Sequence, residues 1–178
     1  MLELRTLGEV TFVEEGRLVR VDTRKQVALF VYLAYHQGRA LRRADLVTLL
    51  WANSPPDKGR HSLSHALYRL RKRFPRLTFE LGIDEVRLPA GPITVDAVAF
   101  QAAVERERFE EAVSLYRGGF LDGFWLAGAP AFEEWQEGER SRLERAAGFA
   151  MRRLLEGVEA SGDWPRAERL AERLLELN

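Results

Sequence analysis

The chain has 178 residues, 46% hydrophobic and 30% charged, which is enough apolar material for a packed core and enough length for two domains. It contains no cysteine, so disulfides, thiolate metal sites and cysteine nucleophiles are excluded. The longest apolar run, 27–35, is too short to cross a bilayer and the N-terminus lacks the order of a signal peptide, so a cytoplasmic protein without a membrane partner is expected.

The net charge of zero conceals an asymmetry. Residues 1–98 carry 16 basic and 11 acidic side chains, a surplus of +5, and residues 99–178 carry 11 and 16, a deficit of −5. Within the first half, Lys58, Arg60, Arg69, Arg71, Lys72, Arg73 and Arg76 follow one another with no acidic residue between Lys58 and Phe79. Such a run is either a solvated helix face or an electrostatic footprint for phosphates, and its neighbours must decide.

In chain order, Leu2 to Arg5 and Val10 to Val21 hold short alternating stretches around a Glu15-Gly16 turn, which predicts a small hairpin-rich sheet. Thr23 followed by Gln26 predicts a capped helix start, and the helix runs through Tyr35 to a stop at Gly38. Because 27–35 is apolar nearly all round, this helix belongs in the middle of its domain. A second helix over Arg43–Trp51 carries Leu46, Leu49 and Leu50, and Asn53-Ser54-Pro55-Pro56-Asp57 ends it. A third, over Gly59–Phe74, places Leu63, Leu67, Leu70 and Phe74 on one stripe and His61, His65, Tyr68, Arg69 and Lys72 on the opposite face, at about 100° per residue. Leu77–Leu81 and Val86–Leu88 then form a hairpin, Pro89-Ala90-Gly91-Pro92 marks a boundary, and the pattern is helical from there to the end. The expected division is therefore 1–92 and 93–178, with helices over Ala97–Glu105, Arg108–Tyr116, Ala131–Ala160 and Trp164–Leu177.

Three helices, the third with a basic outer face, followed by a hairpin, outline a winged helix-turn-helix. A major groove admits one helix whose outward side chains reach base edges while flanking cations meet phosphates. The candidates for base contacts are His61, Ser64, His65, Tyr68 and Arg69; those for phosphates are Lys58, Arg60, Lys72, Arg76 and Arg87. His61 and His65 could also be read as a metal pair, but two neutral ligands without a third make no site, and no metal is expected. The sequence has no P-loop, dinucleotide glycine fingerprint, zinc-protease helix or nucleophile elbow, so neither an enzyme nor a cofactor is expected. Glu133 and Glu134 read as surface charges, and Tyr116, Phe120, Phe124, Trp125, Phe132 and Trp135 as core aromatics.

An ordered series of short segments carries a resemblance across nearly the whole chain: Leu7-Gly8-Glu9-Val10, Arg24-Lys25, Leu49-Leu50-Trp51, Ser62-Leu63 with Ala66 to Arg71, Val95-Asp96-Ala97 with Phe100, Leu115 to Phe124, and Phe132-Glu133-Glu134-Trp135 with Glu139-Arg140. In these segments the chain resembles the bacterial activators of the antibiotic-regulatory-protein type, in which a response-regulator-like winged helix precedes a transcriptional activator domain of tetratricopeptide-like helix pairs. The resemblance implies a mainly α fold with a small β component, binding to double-stranded promoter DNA as side-by-side protomers on direct repeats, and contact with RNA polymerase. It assigns the polymerase contact to the loop after the second helix, at Trp51, Asn53, Ser54 and Asp57. It also implies that helical repeats continue past residue 178 or that the chain is a minimal member of the family. Two positions depart from the pattern. Arg42 stands where relatives often carry a capping serine, and the wing tip carries Asp84 and Glu85, whose carboxylates repel phosphate and shift the expected binding onto the third helix. The reading set against this one is a protein-interaction module that uses the winged helix and the helical groove without specific DNA binding.

Overall fold

The computed structural model describes residues 1–177. Three short strands open the chain, β1 (Leu2–Arg5), β2 (Thr11–Glu14) and β3 (Arg17–Val19). The β2–β3 turn is the expected Glu15-Gly16 pair, with φ of 52° and 77°, the left-handed geometry a two-residue hairpin needs to match strand twist. Helix α1 (Arg24–Tyr35) starts at Thr23, whose hydroxyl oxygen accepts from the Gln26 amide at 3.2 Å, and its residues Ala28 to Val31 are wholly buried. The chain turns at Gly38, adds strand β4 (Ala40–Arg42) and enters α2 (Arg43–Trp51), which has no side-chain cap at Arg42.

Helix α3 (Pro56–Arg73) starts three residues before the expected Gly59. The reason lies in the prolines themselves: Pro56 cannot extend α2, yet its fixed φ and missing N–H suit the first position of the next helix. The wing is β5 (Glu80–Leu81) against β6 (Glu85–Arg87), and β4 completes a three-stranded sheet in the order β4-β6-β5. Strand β7 (Ile93–Val95) corrects the expectation of helix from Pro92 onward. It pairs in parallel with the free edge of β1, Leu2 opposite Ile93 and Leu4 opposite Val95, and gives a sheet ordered β3-β2-β1-β7.

Helices α4 (Asp96–Glu105), α5 (Phe109–Leu115), α6 (Pro130–Ser161) and α7 (Trp164–Glu176) follow, each packed on the next. Between α6 and α7, Gly162 takes the left-handed C-terminal position at φ 79°, and Asp163 caps α7 by accepting from the Arg166 amide. The fold is thus mainly α with a small β component, a winged helix-turn-helix followed by tetratricopeptide-like helices. Among the described residues no helix is long and apolar enough to cross a membrane.

The helical half is tied to the first strands by a buried carboxylate. Asp96 accepts from the Thr6 amide at 2.7 Å, the Thr6 hydroxyl at 2.8 Å, the Leu7 amide at 3.2 Å and the Arg117 guanidinium at 2.9 Å, as a charge removed from water requires. Alongside it, the Gly8 amide donates to the Gly119 carbonyl at 2.9 Å and the Leu121 amide to the Thr6 carbonyl at 2.7 Å. Gly118 permits this approach, because a Cβ there would stand 3.2 Å from the Gly8 Cα. Phe120 and Phe132 are wholly buried and Tyr116 nearly so, as expected of core aromatics, but Trp125 is 57% exposed. Its ring lies on the surface under the Arg24 guanidinium rather than between helices.

Candidate nucleic-acid interface

The geometry of α3 follows from its apolar spacing. Leu63, Leu67, Leu70 and Phe74 are at most 1% exposed and anchor the helix to the core, where Phe74 stacks on Phe30 of α1. That attachment turns His61, Ser64, His65, Tyr68, Arg69 and Lys72 outward, and all six are exposed. Tyr68, at 60% exposure, is a large ring held in solvent on a helix face, where burial gives it no reason to be.

Neighbouring elements divide this face into three flanks. His61 and His65 line a hollow with Thr23 and Lys25 at the start of α1. Tyr68 and Lys72 line another with Thr78 and Phe79, beside the wing. Ser64 and Arg60 border the largest, a groove of about 990 Å³ that reaches Arg43 at the start of α2 and Ile83, Asp84 and Glu85 at the wing tip. Arg43 donates to the Ser64 hydroxyl at 2.8 Å, so the start of α2 is drawn against α3.

The expected phosphate ligands differ in how free they are. Arg60 pairs with Asp57, Arg69 with Asp22, Arg76 with Glu15 near the β2–β3 turn, and Arg87 with Glu80 across the wing at 3.6 Å. The Arg76 guanidinium holds the Glu15 carboxyl below its ordinary range. All four pairs are well exposed, where such contacts are weak and salt-screened, so a polyanion competes with them readily. Lys58 and Lys72 are exposed and have no ion pair among the described residues.

The loop between α2 and α3 is partly committed elsewhere. Trp51 is buried, and the Lys25 ammonium lies 5.4 Å from its ring centroid. Asn53 reaches the Gly128 carbonyl at 3.5 Å, Asp57 faces Arg60 in the first turn of α3, and Ser54 is half-buried beside the large groove.

Sequence reasoning missed Arg43 and Lys25 as members of this surface. The spacing of α3 holds no trace of them, because they arrive from other elements. A signal did exist in the helix-turn-helix pattern itself, whose second-helix start flanks the recognition helix. Burial pushes the Lys25 ammonium below its ordinary pKa, and no carboxylate pairs with it among the described residues. Among those residues no three histidine or acidic side chains converge as a metal site.

No family model and no curated protein matches the chain. Among solved structures it is similar to Mycobacterium tuberculosis EmbR, determined in complex with a low-affinity phosphopeptide, with a TM-score of 0.64 and 24% identity. The likeness covers 99% of this chain and 54% of the EmbR chain, so this chain spans about half the length of that protein. At that identity it is the fold that is shared.

Proposed function

We propose that the chain is a sequence-specific DNA-binding transcriptional regulator of the activator type. Residues 1–92 form the DNA-binding domain and 93–178 the interaction domain. The observation that carries this reading is the outer face of α3, which presents His61, Ser64, His65, Tyr68 and Arg69 to solvent while the opposite stripe is fixed in the core. A rigid helix with hydrogen-bonding groups outward and cations at its borders has the form that enters a major groove. Lys58, Arg60 and Lys72 on α3 meet the backbone, with Arg87 and Arg76 at the margins. The wing contributes less, because Glu80, Asp84 and Glu85 surround its one arginine.

On this reading two protomers stand side by side on direct repeats about 10–11 base pairs apart, one helical turn of DNA. RNA polymerase is met where α2 gives way to α3, at exposed Asn53 and half-buried Ser54 in the loop and exposed Asp57 in the first turn of α3, with buried Trp51 beneath as support.

Fluorescence anisotropy with duplexes enriched from a random library tests the proposal. About six neutralised phosphates give a log-log salt slope of about −5. The triple variant His65→Ala, Arg69→Ala, Lys72→Ala loses specific binding. Weak and sequence-blind binding in both proteins moves the assignment to an interaction module.

A further inference from the structure

The hollow between α1 and α3 brings a half-buried lysine together with two histidines. It measures about 440 Å³, its polar groups belong to Thr23, Lys25, Gln26, His61, Ser62 and His65, and no carboxylate lines it. Three arginines of this face look at acids, Arg60 at Asp57, Arg69 at Asp22 and Arg87 at Glu80, while Lys58 and Lys72, unpaired among the described residues, are exposed to water, unlike Lys25. The acid adjacent to the hollow in sequence, Asp22, is engaged by Arg69, and the first turn of α1 contains no acidic residue. Lys25 is half-buried, its ammonium held near the Trp51 ring, with no counter-charge among the described residues. A cation partly withdrawn from water without a partner is unfavourable until an anion supplies one.

We propose that Lys25, His61 and His65 form a phosphate clamp that grips a backbone phosphate of bound DNA. The inference rests on the DNA-binding reading and refines it, because it makes His61 and His65 ligands of the backbone and leaves base reading to Ser64, Tyr68 and Arg69. The chemistry fits a tetrahedral oxyanion. Lys25 supplies the fixed charge, each imidazole supplies one N–H in its neutral form, and the Thr23 and Ser62 hydroxyls add rotatable donors. His61 and His65, one helical turn apart, stand on the same side of α3, the side facing α1. Phosphate contacts made from α1 and α3 together set the depth and register of α3 in the groove without carrying sequence information.

The test uses the full chain with an enriched duplex, a random-sequence duplex of equal length, and inorganic pyrophosphate. Lys25→Gln weakens binding to both duplexes alike, about three- to tenfold at moderate salt, and reduces the magnitude of the salt slope by about 0.9, one phosphate's worth. Lys25→Arg restores the slope, which separates loss of charge from loss of packing on Trp51. His65→Gln, a change at an exposed position, also weakens both duplexes to the same degree. Pyrophosphate shifts the ring-proton resonances of His61 and His65 saturably, and Lys25→Gln abolishes the effect. An unchanged salt slope in Lys25→Gln, or a loss in His65→Gln confined to the enriched duplex, overturns the clamp. If the unaltered chain binds neither duplex, the DNA reading fails by itself. The pyrophosphate arm then decides the hollow: a saturable, Lys25-dependent shift means that it takes a free phosphate-bearing ligand, and no shift overturns it.

Discussion

The guanidinium of Arg24 lies 4.8 Å from the ring centroid of Trp125 and donates to the Trp125 carbonyl at 2.8 Å, joining positions 101 residues apart. The next residue, Lys25, turns the other way, over Trp51 and toward α3. Two adjacent cations at one helix start thus serve opposite faces, one holding the helical half and one facing the DNA candidate surface. Arg24→Ala is expected to cost about 1–2 kcal/mol, the sum of an exposed cation–π contact and one hydrogen bond. Urea unfolding measures it, and a double-mutant cycle with Trp125→Ala is expected to be non-additive. Additive losses would mean that the stacking contributes nothing.

Gly59 sets the approach of α2 to α3, because a Cβ there would stand 2.7 Å from the Val47 Cγ1. Two effects of Gly59→Ala oppose each other. Helix propensity favours alanine by about 0.8–1 kcal/mol, while overpacking against a stiff β-branched side chain costs about 1–3 kcal/mol. A net loss of about 1 kcal/mol is expected. Adding Val47→Ala removes the obstructing methyl and recovers most of it. A stabilised single variant would show that the helices separate freely.

His36 gives the fold a dependence on mild acid. Its ring packs 4.4 Å from the Tyr32 ring and 6.0 Å from that of Trp135, with Nδ1 2.9 Å from the Tyr32 carbonyl oxygen. Burial pushes its pKa below the ordinary histidine value, so the folded protein resists protonation that the unfolded chain accepts. The corresponding stability is fully present above the unfolded-state value of about 6.5 and is lost as pH falls below it through the lowered folded value. Urea midpoints are expected to fall between about pH 7 and pH 5 in the parent and to fall less in His36→Gln. Parallel profiles would remove His36 from the account.

Most of α3 was legible because its information is local. A buried stripe at helical spacing declares which face is core, and Leu63, Leu67, Leu70 and Phe74 leave no second choice. The three-residue strands β4 and β7 were not legible as strands, since their partners β6 and β1 lie far along the chain and supply the reason for the extended conformation. Pro55-Pro56 signalled the end of α2 correctly and concealed the start of α3, because the same residue type closes one helix and opens the next. Trp125 read as core because aromatic character predicts burial in general, whereas here an arginine from α1 covers one face of the ring. The hollow that Lys25 shares with the histidines of α3 belongs to the same class as β7, since it exists only once α1 and α3 have packed.

Asp22 competes with DNA for Arg69. Their side chains are ion-paired at an exposed site, 43% and 52% accessible, so the pair contributes little to stability and yields to a stronger field. Asp22→Asn releases the guanidinium and removes a negative charge beside the hollow that holds Lys25, His61 and His65. Exposed pairs of this kind are worth about 0.2–1 kcal/mol, which sets the expected gain in DNA affinity at about 1.4- to fivefold at low salt. The gain should shrink as salt rises and screens both the competing carboxylate and the phosphates. Anisotropy titrations of parent and variant across salt concentrations measure it, with Arg69→Ala as the background on which Asp22→Asn should do less. Equal affinities for parent and Asp22→Asn at low salt would mean that Arg69 takes no part in binding, and would confine base reading to Ser64 and Tyr68.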